Sequence, residues 1–234
     1  MDFHYRVVRS NKRRTIGIQV KARQVVVRAP CYVSDVDISK IVEKKSAWIQ
    51  EKLLQFSYDD VVEDKTLIQG SKIWFAGAPK TLNIAFGINN DVSLNDNLIT
   101  VTLNNRNKTL YSEEAKRNQK VRELLNSWYS KQLEQYLESR IPFFVNETGL
   151  IPARYKVKKY KARWGSCNSR GELSFNSLLM MAPNWVIDYV IVHELCHLAH
   201  MNHSTLFWQL VQTYYPKFGQ AKAWLKAHQQ YLQL

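Results

Sequence analysis

Four of the six histidines in this 234-residue chain fall within eleven positions, between His193 and His203. His193 and His197 are four residues apart, which in an ideal helix is an advance of about 400°, so their imidazoles point the same way within about 40°. Glu194 follows the first histidine and can act on a water at a metal without being a ligand itself. The His-Glu-x-x-His spacing therefore predicts a hydrolytic metal site on one face of a helix.

The residues around this motif are apolar. Val190, Ile191 and Val192 precede it, and Leu195 and Cys196 lie inside it. A helix with these flanks is buried on most sides, and buried imidazole and carboxyl groups are costly unless they are paired or bind a metal. The alternative is a polar core whose groups satisfy one another. We favour a metal.

A catalytic zinc ion normally takes three protein ligands. His203 lies ten positions after His193, the spacing of H-E-x-x-H-x-x-G-x-x-H. His200 stands where that pattern has glycine, so the turn must be made otherwise, and Asn202 tolerates the left-handed conformation that a turn needs. His200 is the rival ligand if the helix continues. A histidine beyond a turn surrounds a tetrahedral ion better, so we expect His203 as the third ligand and His200 at the rim.

The metal motif must be positioned by helices on either side of it. Pro183 suits a first helical turn and predicts an apolar helix that continues through His200. Ser204 is expected to cap the next helix. Upstream, Ser112 is expected to start a long amphipathic helix, which Pro142 kinks or ends and Gly149 closes.

Short strands are predicted on both sides of that long helix. Alternating residues predict strands over 154–162 and 172–176, with Ser166 and Cys167 in a turn between them. The first third of the chain also alternates, and Ser34 begins a capping box for a helix from about Asp35 to Gln55. From 67 to 103 alternation returns, and we expect a continuing antiparallel sheet.

These elements predict an α+β fold with two parts. Residues 1–107 form an antiparallel β-rich region with one helix, and residues 108–234 form the catalytic domain. The polar stretch at 104–108 is the expected boundary.

The composition is that of a globular protein, with 45% hydrophobic and 23% charged residues. No apolar run of about 18 residues occurs, so no membrane span is expected. The N-terminus lacks the pattern of a secretory signal. The three cysteines are widely spaced and odd in number, which is typical of a reducing compartment. We therefore expect a cytoplasmic protein.

The net charge is +13 and the sequence pI is about 9.6. A basic surface attracts anionic partners, and nucleic acid is the first to consider. The basic clusters at 6–14 and 154–163 form no recognisable DNA-reading helix, and a positive solvated face is the alternative interpretation.

Several motifs together resemble the YgjP-like family of metal-dependent hydrolases, which is related to the SprT-like and WLM zincin-type metallopeptidases. The resemblance is carried by 163–167 (RWGSC), 173–176 (LSFN), 193–197 (HELCH), 202–204 (NHS) and 207–208 (FW). It extends upstream to 13–14 (RR), 28–30 (RAP) and 48–49 (WI), so it covers most of the chain.

The resemblance implies a zincin-like region of helices over a small antiparallel sheet, with zinc held by His193, His197 and His203. It implies that Glu194 is the catalytic base and that the activity is that of a zinc-dependent metalloendopeptidase acting on a protein or peptide. By zincin analogy, the strand at 172–176 lies at the cleft edge and binds an extended peptide. The candidates for substrate or oxyanion contacts are Arg163, Tyr189, His200 and Tyr214.

Two other functions remain open from the sequence. The same site suits a zinc amidohydrolase acting on small molecules. A basic nucleic-acid-associated module with a structural zinc is the third hypothesis, and a peptidase recruited to DNA-associated proteins would combine it with the first.

Overall fold

The computed structural model describes residues 3–21, 24–50, 53, 66–160 and 163–234. Residue contacts divide the chain into two compact units, Met1–Lys65 and Thr66–Leu234. Each unit has its own buried apolar cluster.

The first unit is a three-stranded sheet followed by a helix. Its elements are β1 (Tyr5–Ser10), β2 (Gly17–Lys21), β3 (Gln24–Pro30) and α1 (Asp35–Lys44). The strand order is β1-β3-β2. Val25 and Val27 of β3 and Ile38 and Val42 of α1 are buried in one cluster, because alternate positions of the strand and one side of the helix are apolar.

Ser34 caps α1, as the sequence predicts. The Asp37 backbone N–H donates to the Ser34 hydroxyl oxygen at 3.1 Å. The predicted helix to Gln55 is interrupted: α1 ends at Lys44, and residues 46–50 are again helical. Residues 51, 52, 54 and 55 of that prediction lie outside the described residues.

The second unit contains two sheets. The first has β4 (Lys72–Phe75), β5 (Ala78–Gly87), β6 (Asp91–Asn95) and β7 (Leu98–Asn104), in the order β4-β5-β7-β6. The second has β8 (Arg154–Lys158), β9 (Gly165–Cys167) and β10 (Glu172–Asn176), in the order β8-β10-β9.

One strand arrangement recurs in all three sheets. The third strand of a consecutive set lies in the middle, parallel to the first and antiparallel to the second. It applies to β1-β3-β2, β5-β7-β6 and β8-β10-β9. The sheets are therefore mixed, whereas the sequence predicted antiparallel pairing. Alternation identifies a strand, but it carries no information about which strand becomes its neighbour.

Four α-helices are described in the second unit: α2 (Glu114–Thr148), α3 (Asn184–Cys196), α4 (Thr205–Tyr214) and α5 (Phe218–His228). A 3-10 helix, Ser177–Met181, precedes α3. Helix α2 begins at Glu114 without a side-chain cap, while the Ser112 hydroxyl donates to the Thr109 carbonyl. The predicted helix start at Ser112 therefore lies two residues before the observed start at Glu114.

Helix α2 continues through Pro142 and ends at Thr148, with Gly149 as its C-cap at φ 69°. Glycine adopts this left-handed conformation without strain. Pro142 does not end the helix because the residues after it continue the buried stripe. Buried residues of α2 recur at Val121, Leu125, Tyr129, Leu133, Leu137, Ile141, Phe144 and Thr148.

Helix α2 is joined to α3 by an ion pair. The Arg140 guanidinium donates from Nε to Asp188 Oδ1 at 2.9 Å and from a terminal nitrogen to Oδ2 at 2.8 Å. The Tyr136 hydroxyl donates to the same carboxylate at 2.9 Å. Asp188 is thereby used in positioning α3.

The predicted α+β class is confirmed. The predicted domain boundary between residues 107 and 108 lies between β7 and α2, inside the second unit. The division into domains at this point stays a prediction. Among the described residues, no helix is long and apolar enough to cross a membrane.

Candidate metal centre

The local sequence explains where the site helix begins and ends. Pro183 is the N-cap residue of α3, as its fixed φ favours, and the helix ends at Cys196 with His197 as its C-cap. The prediction that this helix reaches His200 is therefore wrong. Ser204 then caps α4 as predicted, with the Phe207 N–H donating to its hydroxyl oxygen at 3.4 Å. The chain reverses between these caps, and this turn returns His203 to the face of α3.

His193, His197 and His203 form one group. One ring nitrogen from each lies within 4.8 Å of the others. The Nε2 atoms of His193 and His203 are 3.1 Å apart. Two nitrogens bound to one tetrahedral zinc at 2.0–2.1 Å would be ~3.3 Å apart. The three imidazoles therefore fit a single metal ion.

The turn after α3 fixes the orientation of His197. Its Nδ1 lies 3.0 Å from the carbonyl oxygen of His200, so Nδ1 carries the proton in the neutral ring and Nε2 has the free lone pair. Outer partners of this kind orient a metal-binding histidine. In the described part of the chain, the His200 imidazole is outside the three-histidine group. Its backbone carbonyl is the part that touches a predicted ligand.

Two aromatic rings support the histidines. Phe207 stacks on His197 with ring centres 4.5 Å apart, and Trp208 stacks on His203 with centres 5.5 Å apart. Phe175 is fully buried in the core, while Trp164 and Trp208 are partly buried against it. Helix α4 therefore positions two imidazoles through the packing of its first turn.

The electrostatic environment keeps His193 neutral. Burial, with smaller effects from His197, His203 and Lys222, lowers the pKa of His193 to about 3. Burial also lowers the pKa of His197, while the hydrogen bond to the His200 carbonyl opposes that shift. Neutral imidazole is the form that binds a metal, so the donor chemistry fits as well as the spacing.

Glu194 is buried and adjacent to His193, with only 5% of its surface exposed. Its Oε2 atom is buried and has no hydrogen-bond partner. Burial raises the pKa of Glu194 to about 8, and the charge of Arg163 opposes that shift. A buried carboxyl oxygen without a partner is costly, so its presence at this place favours a functional role.

Strand β9 contacts Glu194 through Gly165. A Cβ atom at this position would lie 2.4 Å from Glu194 Oε1, so only glycine permits the approach. Cys167 is on the same face of β9, and burial together with the Glu194 charge raises its pKa. Ser166 and Cys167 are thus in a strand, and the predicted turn is wrong.

The position of β9 changes the prediction for the cleft edge. Strand β10, at Glu172–Asn176, is paired on both sides, with β8 and with β9. It is therefore the central strand and has no free edge for a peptide. Within the described residues, β9 pairs with β10 alone, and it is the strand beside Glu194.

The other predicted contact residues have different surroundings. The Tyr189 hydroxyl lies 3.4 Å from His193 Nδ1, so Tyr189 supports a predicted ligand. The Tyr214 hydroxyl donates to the Thr148 carbonyl at 3.4 Å. Arg163 is exposed, with its guanidinium 5.6 Å from the ring centre of Tyr160. Of these groups, Arg163 acts on Glu194 through its charge.

Asn176 is a structural residue that sequence reasoning missed. Its amide donates to the carbonyls of Tyr160 and Arg163 at 3.1 and 3.0 Å, and its side-chain oxygen accepts from the Leu178 N–H at 3.2 Å. These bonds hold the backbone that leads into β9. The signal in the sequence was its place in the LSFN motif, which carries the family resemblance but does not indicate these hydrogen bonds.

A fold of this class with a three-histidine site and a buried glutamate is typical of metal-dependent hydrolases. A family model for the YgjP-like metallopeptidase domain matches residues 14–228. The chain therefore belongs to the YgjP-like family, and it is a metal-dependent, peptidase-like hydrolase. Comparisons with curated proteins and with solved structures found no match.

Proposed function

We propose that this protein is a zinc-dependent peptidase whose metal ligands are His193, His197 and His203 and whose general base is Glu194. The observation that carries the proposal is the buried Glu194 Oε2, which lacks a partner and belongs to the residue following a predicted ligand. Three imidazoles are a donor set that suits zinc.

A bound zinc ion supplies Lewis acidity, which polarises a substrate carbonyl and makes water a better nucleophile. Glu194 accepts the proton of the attacking water and passes it to the leaving amine. His197 keeps its orientation through the His200 carbonyl during this exchange.

The substrate that we propose is a protein or peptide bound in extended form along β9. An edge strand offers backbone donors and acceptors to a peptide, which then adds to the sheet. Support for β9 comes from its place beside Glu194 and from its single partner, β10, among the described strands. This assignment replaces β10 as the proposed cleft edge.

The test is the substitution Glu194→Gln, compared with Glu138→Gln on the exposed side of α2. Glutamine has the same shape but cannot take up the proton, so peptide hydrolysis should fall by about 10²- to 10⁴-fold while the zinc content is kept. Glu138→Gln should hydrolyse at the wild-type rate. Unchanged hydrolysis in Glu194→Gln would show that Glu194 is not the general base.

The substrate class is tested separately with a peptide library and a panel of small amides. Hydrolysis of peptides by the zinc-loaded wild type is expected. Turnover of small amides without any peptide cleavage would instead support an amidohydrolase.

A further inference from the structure

The sheet β8-β10-β9 has a second edge strand, β8, on the side opposite to β9. Among the described strands, β8 pairs with β10 alone. No described group outside this ladder hydrogen bonds to the backbone of residues 154–158. An edge strand has N–H and C=O groups that point away from the sheet and can pair with another extended chain. Within the described part of the protein, β8 therefore offers a free edge.

The pairing with β10 decides which face of the sheet each β8 side chain occupies. Tyr155 and Val157 lie beside Leu173 and Phe175, which are fully buried in the core. Because side chains of a strand alternate between its faces, the other three residues of β8 share the outer face. All three residues on the outer face are basic: Arg154, Lys156 and Lys158.

Two of these basic residues lack a partner of opposite charge. Arg154 forms an ion pair with Glu172 at the start of β10. Lys156 and Lys158 are exposed, and neither forms an ion pair with a described residue. They are two residues apart, which is about 6.6 Å along a strand. Their charges therefore match acidic side chains at alternate positions of a neighbouring extended chain.

Positive charge continues beyond the end of β8. A cavity of about 430 Å³ lies there, and its lining includes Lys159, Tyr160, Arg163 and Asn176. Asn176 is the register partner of Lys158, so the cavity is next to the last residue of the strand. The described lining contains two cations and no acidic residue. A chain that follows β8 past its end would therefore meet further positive charge.

The same charges decide which kind of chain can pair with this edge. Pairing of β8 with β8 of a second copy would place lysines against lysines, and like charges on neighbouring strands are destabilising. Lysines on edge strands are a common protection against such self-pairing. An acidic chain would instead gain a favourable charge interaction at each of these positions.

We propose that β8 is a docking site for an acidic, extended segment of another protein, which adds to the sheet as a fourth strand. The backbone of the segment pairs with the free groups of β8. Acidic residues at alternate positions lie beside Lys156 and Lys158, and apolar residues between them lie beside Tyr155 and Val157. The site is separate from β9, the strand that contacts Glu194.

The experiment measures binding of labelled peptides to the zinc-loaded protein by fluorescence anisotropy. One peptide alternates glutamate with valine, a second has the same composition with its glutamates in one block, and a third alternates lysine with valine. A fourth has the first sequence with methylated backbone nitrogens, which removes hydrogen bonds and keeps the charges. The first peptide should bind at least about fivefold more tightly than each of the others at low salt. Higher salt should reduce this affinity.

Three double variants test the role of the lysines. Lys156→Gln/Lys158→Gln should weaken binding of the alternating acidic peptide by about fivefold or more. Lys156→Glu/Lys158→Glu should instead bind the alternating lysine peptide more tightly than the acidic one. The control, Lys131→Gln/Lys217→Gln, removes two exposed lysines from α2 and from the N-cap of α5, and it should keep the wild-type affinity.

Three results would overturn the proposal. Equal binding of the alternating and the block peptide by the wild type would exclude addition of a strand. Equal losses in Lys156→Gln/Lys158→Gln and in the control variant would exclude β8 as the site. Tighter binding of a single-stranded oligonucleotide than of any peptide, lost with the same two lysines, would exclude an acidic protein segment as the occupant. Binding is measured without turnover, so each result is independent of the proposed peptidase function.

Discussion

Gly165 and Glu194 are in such close contact that a methyl group on Gly165 would lie 2.4 Å from Glu194 Oε1 and 2.7 Å from its Cγ and Cδ. One residue comes from an edge strand and the other from the helix of the metal motif. The missing side chain of the first therefore sets the position of the second.

The substitution Gly165→Ala should move the Glu194 carboxyl group or push β9 away from α3. We expect peptide hydrolysis to fall by at least about tenfold, because proton transfer depends on hydrogen-bond distances. Zinc binding should be kept, since the three histidines are not touched. Steady-state kinetics and metal analysis of the same preparation test this.

Gly219→Ala is the matched control, because a Cβ atom at Gly219 meets nothing within 4 Å. Alanine is a better helix former than glycine, so stability should rise by up to about 1 kcal/mol. Activity should stay at the wild-type value. Equal loss of activity in both alanine variants would contradict the specific role of Gly165.

Removal of the His203 imidazole should weaken zinc binding strongly. Loss of a residue that hydrogen-bonds to a metal ligand lowers metal affinity by about 10- to 100-fold, and loss of the ligand itself should lower it further. His200→Ala should bind zinc nearly as well as the wild type, because the contact to His197 is made by a backbone carbonyl that alanine retains. Competition with a chromophoric chelator measures both affinities. A larger loss of zinc affinity in His200→Ala than in His203→Ala would indicate that His200, and not His203, is the third ligand.

The ion pair between Arg140 and Asp188 should stabilise the packing of α2 on α3. In Asp188→Asn the charged partner of two guanidinium hydrogen bonds is lost, and the free energy of unfolding should fall by about 2 kcal/mol. Glu113→Gln breaks an exposed ion pair with Lys116 and should change the free energy of unfolding by less than about 0.5 kcal/mol. Urea unfolding followed by tryptophan fluorescence compares the two. Similar losses in both variants would show that burial of the Arg140 pair is unimportant.

Asn176→Ala should loosen the backbone before β9. Three hydrogen bonds are lost and two carbonyls near the buried strand lose their donor, so a destabilisation of about 2–4 kcal/mol is expected. Asn176→Asp keeps the acceptor for the Leu178 N–H but places a buried carboxylate oxygen against the two carbonyl oxygens, so it should be destabilised at least as much as the alanine variant. Denaturation midpoints for the three proteins give the order, and an aspartate variant as stable as the wild type would contradict it.

The sequence predicts the proximity of His193 and His197 because it depends on local geometry. His193 and His197 share a helix face by spacing alone, and Ser34 and Ser204 cap their helices through bonds within a few residues. The end of α3 was not predictable in the same way. Apolar residues continue through Leu198, so nothing local marks Cys196 as the last helical residue, and the turn is stabilised by His197 bonding to the His200 carbonyl.

The relationships that connect distant segments could not be predicted. The contact of Gly165 with Glu194 and that of Lys222 with Trp208 depend on how separate elements pack. The mixed sheets have the same cause, since a strand's alternation is unchanged by the direction of its neighbour. The grouping of the three histidines was therefore predictable, and most of the packing around Glu194 and the histidines was not.

The central position of β10 has a consequence for redesign. Strands β8 and β10 pair directly with each other, and the connection between them contains β9. This connection can therefore change in length or composition without breaking the pairing of β8 with β10. Sequence changes in this connection that spare Gly165 and the Tyr160 and Arg163 carbonyls offer a way to alter the surroundings of Glu194 while α3 stays intact.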